Sequence, residues 1–170
     1  MMPLSKLNIA DRASFLAVCG PFFEHSPWIA ERAFNARPFA SRNDLHEKLC
    51  GVVATASVEE QLALIRAHPD LVGRLARAGR LTGESTREQA AAGLDQLSAD
   101  DVAAFDRFNA AYHDRFGFPF VICARQNRKD AILAAIPRRL ANTPDQERAT
   151  ALAEIYKIAR LRLDDAIWEE

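Results

Sequence analysis

The sequence predicts an all-α fold, a single compact multi-helix domain over residues 1–170 with one short extended segment near 118–124. Three observations carry this reading. Alanine and leucine are abundant, and the period-two alternation of half-buried strands is almost absent. Residues that cap helix starts recur along the chain. Apolar residues fall three and four apart, as in Phe105, Phe108, Tyr112 and Phe116. A chain of 170 residues suits one domain, and 49% apolar content is enough for a core without cross-links.

The first helix is expected after Asn8, running through Asp11 to Val18 and stopping at Gly20-Pro21. Pro27 suits the first turn of a short helix through Ala33, which must end before Pro38. Ser41, with Asp44 three residues on, caps a third helix reaching Val53. Ser57-Val58-Glu59-Glu60 is a capping box, in which side chains satisfy the free N–H groups of the first turn. The helix it opens should not pass Pro69, because the residue before proline avoids helical angles. His68 is thereby placed at a corner between helices.

After Pro69 a short helix is expected to turn Leu71, Leu75 and Ala78 inward and to end at Gly79, with a loop over 80–84. Ser85, with Glu88 three residues later, reads as the cap of the next helix, which breaks near Leu97. Ser98 and Asp101 open a longer helix that Gly117 closes. Its aromatic stripe reads as core, not as a cofactor box. The run Phe118-Pro119-Phe120-Val121-Ile122-Cys123-Ala124 is apolar, with β-branched and aromatic residues, and reads as a buried extended piece. Its backbone N–H and C=O groups need partners, and a polar ligand is one way to supply them. A helix follows from Lys129 to Asn142, which Pro137 should kink or split, and Thr143-Pro144-Asp145-Gln146 starts a last helix sustained through Ile167.

Composition narrows the function. A net charge of −1 provides no basic field, so nucleic acid is not an expected partner. No stretch has the length of a membrane span or the form of a signal peptide. Cys19, Cys50 and Cys123 are an odd count without a C-x-x-C pair, which favours a reducing, cytoplasmic setting and small buried apolar roles. The end Trp168-Glu169-Glu170 is not a peroxisomal address. No metal is expected: His46-Glu47-Lys48-Leu49-Cys50 has cysteine where a zincin needs histidine, and His25 and His113 lack partners at ligand spacing. No phosphate loop or G-x-S-x-G elbow occurs.

What remains is a corner imidazole, His68, and the Ser85-Thr86-Arg87-Glu88-Gln89 run. Histidine titrates near neutral pH, and an adjacent carboxylate raises its pKa and orients it. Alone, His68 reads more readily as a capping or surface residue, and Ser85 with Glu88 more readily as a purely structural box. A helix start with free N–H groups can also seat a substrate carboxylate, and Gln89 can both donate to and accept from a urea or amide. Arg162, between Leu161 and Leu163 on the last helix, can grip a carboxylate in a fork, with Arg125 a second candidate. A helical module that binds a small molecule or a protein, without catalysis, is the alternative reading.

Several blocks, met in order, add to this. They are Ala67-His68-Pro69-Asp70-Leu71, Leu81-Thr82 with Ser85 to Gln89, Ala92-Gly93-Leu94-Asp95, Asn109-Ala110-Ala111-Tyr112, Phe116 to Ile122, Glu154-Ile155 and Ile158 to Leu163. In these the chain resembles the OHCU decarboxylase family, which decarboxylates 2-oxo-4-hydroxy-4-carboxy-5-ureidoimidazoline to (S)-allantoin in urate breakdown. The resemblance implies an all-helical enzyme that needs no cofactor, acts on a small molecule and is often a homodimer. It implies that His68 is the acid/base residue and Glu88 its partner. It implies that Pro69, Ser85, Thr86, Arg87, Gln89, Phe120, Val121, Ile122, Cys123, Ala124 and Arg162 hold the substrate. Pro137 departs from the family pattern, away from these positions.

Overall fold

A computed structural model of the chain describes residues 1–73, 76 and 78–169. They are mostly helical, as expected, and the chain divides into two compact units, Met1–Ala67 with Tyr156–Glu170, and His68–Ile155.

The first unit opens with β1 (Met2–Pro3) and α1 (Leu4–Ile9), where Leu4 and Leu7, three apart, are buried. α2 (Arg12–Cys19) follows, capped by the Asp11 carboxylate, which accepts from the Ser14 N–H. The single helix expected from Asn8 is therefore two. Asn8 caps nothing; its amide exchanges two hydrogen bonds with the Phe39 backbone. α3 (Trp28–Ala33) starts directly after Pro27, and α4 (Arg42–Ala54) starts at Ser41, whose hydroxyl accepts from the Asp44 N–H. α5 (Val58–Arg66) has the Ser57/Glu60 capping box complete. α3 packs on α2 and α4 around the buried Phe15, Ile29, Leu45 and Leu49.

Glu60 also accepts from Arg32 of α3 at 2.5 Å. The Arg32 hydrogen bond, then the Ser57 N–H, lower its carboxyl pKa from 4.5 to about 2. A folded-state pKa below the unfolded one adds stability that is present above about pH 4.5 and lost as pH falls through about 2. Arg32→Ala should flatten that part of an acid-unfolding curve by lowering stability slightly at neutral pH and leaving it unchanged at about pH 2 and below, a small effect because both side chains are exposed.

The second unit begins at His68. Leu71 and Val72 are buried in a turn, not a helix, and Val72 has φ of +56°, rare for a β-branched residue. Gly73 is required there, because a Cβ would come within 2.7 Å of the Asp70 Cβ. Of the apolar face expected next, Ala78 is exposed and Leu75 lies outside the described residues. α6 (Gly83–Ala91) is capped by Thr82, whose hydroxyl accepts from the Ser85 N–H. The cap thus lies three residues before the expected one: Ser85 is the third residue of the helix, and Glu88 sits in its second turn. It ends at Ala91, with Gly93 at φ +76°, short of the expected break near Leu97.

α7 (Ala99–Phe116) has its Ser98/Asp101 box and a left-handed Gly117 cap, and buries Phe105, Asn109 and Tyr112. Residues 118–123 are extended and buried, and Ala124–Gln126 form a 3-10 turn, so the extended piece stops one residue early. α8 (Lys129–Leu140) contains Pro137 without being divided by it, and α9 (Pro144–Ala166) follows. Ile167, expected in that helix, instead belongs to β2 (Ile167–Trp168), which pairs in parallel with β1, Met2 opposite Ile167. Two-residue strands carry no alternation to read.

Candidate active site

His68 is buried and lies past the end of α5, at the corner expected of it. The residues after it are pinned one by one. Asp70 meets the His113 ring at 2.8 Å, the Leu71 carbonyl accepts from the Asn109 amide at 2.9 Å, and the Val72 N–H donates to Gln89 Oε1 at 3.1 Å. The last of these ties the His68 loop to α6 next to Glu88. It gives Gln89 Oε1 one partner within the protein.

On α6, Ser85 and Gln89 are buried and Glu88 is half-buried. At about 100° per residue, Glu88 lies some 200° around the helix from Thr86. Thr86 is exposed and donates to the Thr82 carbonyl, while Arg87 points outward and pairs with Glu84 at 3.3 Å. A cavity of about 440 Å³ opens beside Thr86, Gln89 and Ala90, walled by Val72, Leu81, Leu94 and Val102. His68 and Glu88 are not among its lining residues.

α6 packs against the Ala124–Gln126 turn, which brings the end of the extended segment to the same helix. Pro69 is half-buried; Phe120, Val121, Ile122, Cys123 and Ala124 are buried, and Arg125 is exposed. Two backbone groups of the segment, expected to seek a ligand, are satisfied within the protein. The Val121 carbonyl accepts from Arg139 at 2.6 Å, and the Cys123 N–H donates to Glu154 at 2.8 Å.

Arg162 belongs to the other unit, where its side chain is buried. It donates to Glu24 at 2.9 Å and to the Pro21 carbonyl at 3.0 Å. Sequence reasoning had no partner for Arg162, since Glu24 is far away along the chain. It also missed Asp70 for His113, and Arg139, Glu147 and Glu154 as supports of the extended segment. The one local hint was the apolar setting of Tyr112, whose hydroxyl needs a buried acceptor. That acceptor is Glu147, and burial is the main cause pushing the Tyr112 pKa up. Among the described residues no group of three or more His, Cys, Asp or Glu could hold a metal ion.

The sequence profile of the OHCU decarboxylase family matches residues 8–164. The 2-oxo-4-hydroxy-4-carboxy-5-ureidoimidazoline decarboxylase of Amia calva is 43% identical over 98% of this chain and 95% of its own. The enzyme of the same name from Haloferax volcanii is 43% identical over 99% and 98%. A crystal structure of (S)-allantoin synthase superposes with a TM-score of 0.78 at 27% identity, covering 99% of this chain and 54% of that one.

Proposed function

Because the chain belongs to the OHCU decarboxylase family, we propose that it decarboxylates 2-oxo-4-hydroxy-4-carboxy-5-ureidoimidazoline to (S)-allantoin in urate breakdown. The observation that carries this reading is the likeness to enzymes of that name along almost the whole of both chains.

The substrate bears its carboxylate on a carbon beside a C=N bond, and so contains its own electron sink. As carbon dioxide leaves, the electron pair of the broken bond moves into that system, and an enol-like intermediate then takes a proton on one face. Such a reaction asks the protein to orient, to hold charge and to deliver a proton, which needs no cofactor. In our reading Glu88 and His68 share a proton. His68 handles the substrate hydroxyl proton and later protonates the ring carbon stereospecifically. The tie from Val72 to Gln89 supports this, because it fixes the His68 loop to the helix that bears Glu88.

Pro69, Ser85, Thr86, Arg87 and Gln89, the Phe120–Ala124 backbone and Arg162 hold the substrate in this reading. The outward course of Arg87 and the internal pairing of Gln89 make these two the weakest contributors. The family match across both units supports residues 1–170 acting as one catalytic domain. No helix is long and apolar enough to cross a membrane among the described residues. With no disulfide among its three cysteines, the chain fits a cytoplasmic setting, and its helical surface can support a homodimer.

The test generates the unstable substrate in place from urate and follows the circular dichroism of allantoin with and without protein. Spontaneous decay gives a racemate. Faster appearance of a single enantiomer is the expected result; a racemate at the spontaneous rate would leave only the passive binding module.

A further inference from the structure

The extended segment that our reading assigns to the substrate is held in place by two ionisable side chains that face its backbone. Arg139 contacts two consecutive residues of it. Its Nη1 donates to the Val121 carbonyl at 2.6 Å, and its guanidinium carbon lies 4.4 Å from the centre of the Phe120 ring. Phe120 is gripped from a second side by Tyr112, edge-on at 5.3 Å. The guanidinium is in turn fixed by the fully buried Glu147, which accepts from Arg139 Nε at 2.9 Å, from Nη2, and from Asn142 at 2.8 Å. Two residues beyond Val121, the Glu154 carboxylate accepts from the Cys123 N–H.

We propose that Arg139 and Glu154 are positioning residues for the reaction. They anchor the backbone at Val121 and at Cys123, so the peptide groups of Ile122 between them are presented to the substrate in one orientation. This rests on the segment binding substrate, as proposed above. Neither side chain is asked to touch a reacting atom. A planar guanidinium can bond a carbonyl, a carboxylate and a ring face at once, whereas a lysine ammonium is a point charge that cannot. The loss expected on replacing it is therefore geometric, and misplacement of about 1 Å can cost on the order of 10²-fold.

The variants are Arg139→Lys and Glu154→Ala, with Ser98→Ala as a control that lowers stability by deleting the α7 cap far from the segment along the chain. All are assayed well below their melting temperatures, on substrate generated from urate, for KM, kcat and the enantiomeric ratio of allantoin. The control should keep the wild-type KM and enantiomeric ratio. Arg139→Lys and Glu154→Ala should raise KM by about tenfold or more and admit the second enantiomer, with kcat/KM falling on the order of 10²-fold. If Arg139→Lys does not fold, Glu154→Ala carries the same test from the other anchor. Wild-type KM and enantiomeric ratio in a folded variant would overturn the assignment while the decarboxylase reading stands. A wild-type protein without effect on this substrate would remove both.

Discussion

His68→Asn should lower turnover by about 10²–10⁴-fold, the usual contribution of a positioned general acid–base group. Asparagine keeps a polar side chain at the corner, where the following residues are held by contacts of their own at Asp70, Leu71 and Val72. The melting temperature should therefore stay near the wild-type value while activity collapses. Glu88→Gln is the companion variant, and the fold makes it sharper than the sequence suggested. Thr82, not Ser85, caps α6, and Glu88 sits a turn into the helix. Loss of activity after this substitution can no longer be put down to a broken capping box. Full turnover by either variant would contradict the assignment of that residue.

Glu147→Ala is expected to have the largest effect on stability. The carboxylate is fully buried and accepts from Arg139, Tyr112 and Asn142. Removing it leaves the Arg139 charge, only 11% exposed, without its counter-ion and strands the Tyr112 hydroxyl. Breaking a buried pair from one side costs about 3–5 kcal/mol. At about 2–4 °C per kcal/mol for a chain of this size, the melting temperature should fall by roughly 6–20 °C. Replacing both partners by methionine removes the uncompensated charge, so that double variant should recover much of the loss. A single variant that melts within a degree of wild type would show that Glu147 does not hold this network together.

Helix starts were legible at several local caps, though not at Asp11, whose carboxylate accepts from the Ser14 N–H where one unbroken helix was expected. Ser41, Ser57 and Ser98 each close on the third residue of their helix, and Gly117 ends α7 in the left-handed conformation. α6 shows the limit of that signal. Thr82-x-x-Ser85 and Ser85-x-x-Glu88 both fit a helix start, and tertiary context picked the first. The pairing of β1 with β2 joins the two ends of the chain through two residues a side, too little for any local pattern. The corner position of His68 followed from Pro69 alone. The partners of the other candidate groups did not, because they lie far off in sequence: Glu24 for Arg162, Arg139 for Val121, Glu154 for Cys123. The sequence could say that a buried extended segment needs hydrogen-bond partners; only the fold says that charged side chains of the protein supply two of them.

That His68 and Glu88 handle the same proton is open to a direct measurement: a double-mutant cycle on the rate of stereospecific allantoin formation with His68→Asn, Glu88→Gln and the pair. Groups that act as a unit are strongly non-additive. The double variant should be hardly slower than His68→Asn alone. Losses that multiply across the cycle would mean that the imidazole and the carboxylate act independently.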